Sequence, residues 1–139
     1  MIECIVLGDS IAVGTQLQRY ECISYAKGGL NSWQWNKMYS TKDLSADTVI
    51  ISLGTNDHKY VKTEKELTVM RAKVNASRVF WILPVGNSSK SEVPLEEIQR
   101  TIKQIAAKYG DTVLPITRVQ SDKIHPSWAG YKELADKTR

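Results

Sequence analysis

Short apolar runs alternate along this chain with longer stretches in which apolar residues recur every three or four positions. Residues 3–8 form a continuous apolar run that stops at Gly8-Asp9-Ser10. Similar runs at 22–26, 48–53, 78–83 and 112–116 predict four more strands. The run at 48–53, Thr-Val-Ile-Ile-Ser-Leu, is β-branched and apolar on both faces. Strands without polar alternation suit a parallel sheet covered on both sides. Between them the period changes to that of a helix. Leu95, Ile98, Ile102, Ile105 and Tyr109 form one stripe over 94–109, with Pro94 suited to its first turn and Gly110 to its end. Thr63-Glu64-Lys65-Glu66 reads as a capping box opening a second helix, with Leu67, Met70 and Val74 on its inner face. Residues 11–20, 32–39 and 131–137 complete the helices, with Val13 and Leu17 expected in the core. Strand–helix alternation through one small chain predicts an α/β fold: a three-layer α/β/α sandwich around a sheet of about five mainly parallel strands.

Composition narrows the class. The 139 residues make one domain spanning 1–139. Roughly 68% of the unfolded surface is expected to be buried, so no metal or disulfide staple is needed. Apolar residues are 42% and charged residues 24%, which is globular. No run approaches the ~18 apolar residues of a membrane span. No signal peptide opens the chain, so the expected location is cytoplasmic if Met1 is the natural start. The net charge of +4 comes from scattered cations that alternate with acids, a solvated surface and no nucleic-acid stripe. Cys4 and Cys22 lie in strand-like segments and read as buried thiols. With two His in the chain, zinc-type spacing is absent, and no metal or organic cofactor is expected.

In an open parallel sheet, chemistry sits beyond the C-terminal strand ends. The segments that follow the predicted strands are Gly8-Asp9-Ser10, Lys27-Gly28-Gly29, Gly54-Thr55-Asn56-Asp57 and Ser121-Asp122-Lys123-Ile124-His125. All unusual polar or glycine-rich clusters thus share one edge. Ser10 stands where a strand becomes a helix, so its N–H is one of the donors a helix start leaves unpaired. It suits either a nucleophile or a simple N-cap. An Asp three residues before a His reaches Nδ1 and leaves Nε2 for a serine, which favours His125 over His58 as a base. Asn56 and the Gly28-Gly29 turn offer donors for an oxyanion, although each also reads as ordinary turn chemistry.

Taken together, these blocks resemble the SGNH hydrolase superfamily of GDSL-type esterases and lipases. Gly8-Asp9-Ser10-Ile11 is similar to the nucleophile block, with Ile in place of Leu. Gly54-Thr55-Asn56-Asp57 and Asp122-Lys123-Ile124-His125-Pro126 are similar to the asparagine and histidine blocks, and Gly29 to the glycine block, with Gly28 the alternative register. The resemblance spans residues 2 to 135. It implies a flavodoxin-like sheet, a catalytic set of Ser10, Asp122 and His125, and an oxyanion hole from the Ser10 N–H, the Gly29 N–H and the Asn56 side chain. The Gly-x-Ser-x-Gly elbow of α/β-hydrolases is absent, because Ile11 and Ala12 follow Ser10.

The expected activity is that of a serine ester hydrolase on short-chain acyl esters, with a carbohydrate O-acetylesterase as the first choice. An acyl thioesterase or lysophospholipase of the same family is the enzyme alternative, and a binding module on a degenerate hydrolase fold the non-catalytic one. The expected partner is a small-molecule or carbohydrate ester. Short chain length leaves little for a lid. The loops beside the site are polar, among them His58, Lys59, Asn87, Ser88, Ser89 and Lys90. Trp81 is expected in the core, and Trp33, Trp35 and Trp128 either pack or stack on a sugar.

Overall fold

The computed structural model describes residues 2–86 and 92–139. Asn87 to Lys90, named above as a polar rim, lie outside the described residues. Five strands form one sheet: β1 (Cys4–Gly8), β2 (Ile23–Ala26), β3 (Leu44–Ser52), β4 (Val74–Ile82) and β5 (Thr112–Leu114). All pair in parallel, in the order β2-β1-β3-β4-β5. Alternate residues of β1 separate the two faces. Ile5 and Leu7 join Val49, Ile51 and Trp81 beneath helices α2 (Ser32–Met38), α3 (Thr63–Ala72) and α4 (Leu95–Tyr109). Val6 joins Ile50, Phe80 and Ile82 beneath α1 (Ser10–Leu17) and α5 (Trp128–Lys137). The expected three-layer sandwich is therefore the observed one.

Local chemistry explains most boundaries. Gly110 closes α4 at φ 73, with Asp111 N–H donating to the Ala106 carbonyl and Gly110 N–H to that of Ala107. Trp81 is buried as expected because its indole N–H donates to Asp111 Oδ2, which also pairs with Arg71.

Several expectations change. The strands β3 and β4 begin four residues earlier than their apolar runs, because 44–46 and 74–76 pair with each other there. Val74 starts β4 and is not part of the α3 face. The capping box at Thr63 does not form. The Thr63 hydroxyl donates to Asp57 instead, and Glu66 accepts from Asn36 Nδ2. A true capping box opens α2, where Asn31 and Gln34 exchange bonds. Leu17 is exposed and not in the core, since α1 ends there and turns away. Cys4 and Cys22 are not free thiols but a disulfide. The register that sets Ile5 beside Ile23 also sets Cys4 beside Cys22, with Cα atoms 4.7 Å apart, inside the range a disulfide spans.

Candidate active site

The sheet order reverses between β1 and β3, and the loops beyond these two strands flank that switch point. Gly8 ends β1 at φ 138, and a Cβ there would fall on the Ser52 carbonyl oxygen. Only glycine lets the two strand ends approach this closely. The next residue, Asp9, is fully buried and caps α1: its Oδ1 accepts from the Ile11 N–H at 3.0 Å and from the Ser52 hydroxyl at 3.0 Å. Ser10 is thereby fixed as the first residue of α1, its N–H among the unpaired donors at the positive end of the helix dipole.

The turn after β5 comes back over this helix start. His125 Nε2 lies 2.8 Å from Ser10 Oγ. His125 Nδ1 lies 2.6 Å from Asp122 Oδ2, while Asp122 Oδ1 accepts from the Ile124 and His125 N–H groups at 2.9 Å each. Those backbone bonds, with the His125 ring, hold the Asp122 carboxyl at about 2, well below its usual range. A charged Asp122 keeps the His125 proton on Nδ1 and leaves Nε2 free to accept from the serine hydroxyl. The site is open to solvent, with the His125 side chain 35% and that of Asp122 42% exposed.

The remaining predicted residues converge on the same edge. The Lys27 N–H donates to the Gly8 carbonyl, which seats the glycine turn against β1. A Cβ on Gly28 would come within 3.8 Å of Ser10 Cβ, and Gly29 follows at φ 83 with open space around it. Asn56 Nδ2 donates to the Leu30 carbonyl at 3.0 Å, which uses one of its two amide protons and leaves the other. Among the described residues His58 makes no hydrogen bond to Ser10, and its Nδ1 accepts from the Tyr60 N–H.

Two acids were missed in the sequence. Asp57 is fully buried and accepts from the Ser32 N–H at 2.8 Å, the Ser32 hydroxyl at 2.6 Å and the Thr63 hydroxyl at 2.7 Å. It ties the helix after the glycine turn to the loop that carries Asn56. Asp9 is the other. Burial pushes its carboxyl up to about 7 despite its bonds to Ser52 and Ile11, and its Oδ2 has no hydrogen-bond partner. Burial, aided by Asp9 and Asp122, raises the half-buried Tyr131 hydroxyl to about 12. An Asp at a strand-to-helix junction is the signal that could have revealed Asp9. The one cluster of potential metal ligands among the described residues is Cys4, Glu21 and Cys22, whose sulfurs are spent in the disulfide.

No protein-family model matches this sequence, and no curated protein matches it. Solved structures do match in fold. A member of the lipolytic protein G-D-S-L family from Veillonella parvula superposes with a TM-score of 0.69 at 17% identity, covering 99% of this chain and 96% of that one. The C-terminal catalytic domain of peptidoglycan O-acetyltransferase A from Streptococcus pneumoniae, solved with a methylsulfonyl adduct, gives 0.68 at 16% identity over 96% and 88%. An alpha/beta hydrolase enzyme from the metagenome of Lake Arreo gives 0.67 at 14% identity over 96% and 91%. With its sheet order, its layers and these neighbours, the chain has the fold of the lipolytic G-D-S-L proteins, the SGNH hydrolases.

Proposed function

We propose that this protein is an SGNH-type serine ester hydrolase that works through an acyl-enzyme on short-chain acyl esters, as a carbohydrate O-acetylesterase. The observation that carries the reading is the continuous relay Asp122–His125–Ser10, with contacts of 2.6 and 2.8 Å. Ser10 Oγ attacks the ester carbonyl as His125 Nε2 takes its proton. Asp122 stabilises the imidazolium without taking a proton itself. The Ser10 N–H, the Gly29 N–H (or that of Gly28) and the second Asn56 amide proton stabilise the tetrahedral oxyanion. His125 then protonates the departing alcohol oxygen, and a water repeats the sequence to release the acid.

Short acyl groups follow from the surroundings. A buried methylene contributes ~0.8 kcal/mol only where an apolar pocket receives it. The loop after Asn56 offers the buried, fully engaged Asp57 and then polar or exposed residues at 58–60. The exposed relay suits a hydrated alcohol. The disulfide supports an oxidising compartment over the cytoplasmic expectation. No helix among the described residues is long and apolar enough to cross a membrane.

The test is kcat/KM for p-nitrophenyl esters from acetyl to decanoyl. Acetyl and butyryl esters are expected to be cleaved well and octanoyl esters poorly, because a methylene with no apolar pocket to enter gains none of the ~0.8 kcal/mol that burial supplies. A steady rise beyond six carbons would replace this reading by the lysophospholipase or thioesterase one.

A further inference from the structure

Asp9 is the buried carboxyl that the proposed mechanism leaves without a role. It binds the end of β3 twice. Its N–H donates to the Ser52 carbonyl at 3.0 Å, and its Oδ1 accepts from the Ser52 hydroxyl at 3.0 Å. The same Oδ1 accepts from the Ile11 N–H at 3.0 Å, and the Asp9 carbonyl accepts from the Val13 N–H at 3.0 Å. One residue thus clamps the start of α1, where Ser10 stands, to the strand that leads into Asn56.

The two carboxyl oxygens are unequal. Oδ1 takes both donors, while Oδ2 is buried with no hydrogen-bond partner. An ionised carboxylate spreads its charge over both oxygens, and each then needs donors once buried. A neutral acid suits this arrangement better, with Oδ1 as its carbonyl and the proton on Oδ2. No charged group offsets the burial of Asp9 among the described residues. β1 and α1 carry no titratable side chain beside it, and the one acid of β3, Asp47, lies five residues before Ser52. From α5 comes the half-buried Tyr131, which packs on Gly14 of α1 and whose hydroxyl feels the Asp9 charge. From the turn after β5 come His125, which reaches Ser10, and Asp122 behind it. Burial accordingly pushes the Asp9 carboxyl up to about 7.

Charge at this point bears on the chemistry. A carboxylate at a helix N-terminus offsets the positive end of the dipole. That end is where the Ser10 N–H is offered to the oxyanion, so an ionised Asp9 sets a like charge behind the one that develops in the transition state. We infer that Asp9 is a positioning residue that serves the reaction as a neutral carboxylic acid, clamping the Ser10 helix start to β3 through Oδ1 while keeping negative charge away from the oxyanion donors. This rests on the ester-hydrolase reading and adds a residue to it.

The test is the rate at which a fluorophosphonate labels Ser10, read by intact-protein mass spectrometry from about pH 6 to about pH 9, with the fold checked by circular dichroism at each pH. Wild type is compared with Asp9→Asn, which keeps a carbonyl oxygen for both donors and is neutral throughout, and with Asp9→Ala, which loses the clamp. The wild-type rate is expected to fall at least about tenfold between its maximum and the alkaline end, while the Asp9→Asn rate stays level there. Asp9→Ala is expected to be slower than Asp9→Asn at every pH. Parallel wild-type and Asp9→Asn profiles, or Asp9→Ala labelled as fast as Asp9→Asn, overturn the inference and leave the hydrolase reading standing. A wild type unlabelled at every pH rejects that reading and the inference with it. Should Asp9→Asn fail to fold, the Asp9 carboxyl carbon of the wild type, followed by NMR, decides. A protonated acid at about pH 6 is expected, and a carboxylate there overturns the inference.

Discussion

Asn56 and Asp9 show how much a single side chain carries here. The Asn56 amide is held by the Leu30 carbonyl through one proton, and the proposed mechanism assigns the other to the oxyanion. One preorganised oxyanion donor is typically worth ~3 kcal/mol in the transition state. Asn56→Ala is therefore expected to lower kcat ~100-fold with a smaller effect on KM. A change confined to KM would assign Asn56 to ground-state binding. Asp9 yields a pH prediction. Its folded value, about 7, stands above the ordinary 3.8 because burial disfavours the charge. Between those values the folded chain holds a proton that the unfolded chain has released. Stability is therefore greatest below the unfolded value, declines as pH rises toward 7, and levels off above it. Asp9→Asn has no such proton to lose. Urea midpoints at pH 4.5, 6 and 8 should show the wild type losing ground against Asp9→Asn by more than about 1 kcal/mol across that range. A constant difference between the two would contradict a titrating Asp9.

Elements bring the parts of the site together, and their contacts decide which loops matter. The chain after β4 reaches the His125 turn at Gly86, which has φ 69. A Cβ there would fall on the Lys123 carbonyl oxygen and lie 2.9 Å from Ile124 Cγ1. Gly110 has a similar φ of 73 but nothing within 4 Å. Alanine at either position incurs a left-handed strain of about 1–2 kcal/mol. Only Gly86→Ala must also push the Asp122–His125 turn. It is expected to lower kcat about tenfold or more, since small displacements of reacting groups are expensive, while Gly110→Ala leaves kcat unchanged. Equal kinetic behaviour of the two variants would show that this contact does not position His125. The same contacts explain what was legible in the sequence. Ser10, Asn56, Asp122 and His125 lie in short motifs that follow strands, and strand runs such as 48–53 announce themselves by composition. The starts of β3 and β4 did not, because Ser45, Asp47, Asn75 and Ser77 interrupt the apolar pattern there. Thr63 was misread because Asp57, six residues earlier, competes for its hydroxyl through the tertiary fold. Buried Asp57 itself carries no periodic signal.

At the scale of the molecule, the disulfide and the candidate site lie at opposite ends of β1. The disulfide joins the start of β1 to the residue before β2, at the edge away from Ser10. Its pairing needed the register of the sheet, which two cysteines in a linear sequence do not reveal. Closing a loop of this length contributes roughly 3 kcal/mol on the chain-entropy account. The opposite edge gathers five segments distant in sequence, with Ser10 and His125 separated by 115 residues yet in hydrogen-bond contact. The proposed function has one central consequence for a relay assembled from such distant parts: Ser10 acts as a nucleophile only because His125 stands beside it. The most direct measurement is intact-protein and peptide mass spectrometry after exposure to a fluorophosphonate. One adduct on Ser10 is expected in the wild type, none in Ser10→Ala, and labelling at least ~100-fold slower in His125→Ala with the fold retained, in keeping with the contribution of a general base. An unlabelled wild type, an adduct on another residue, or His125→Ala labelled at the wild-type rate would contradict the account.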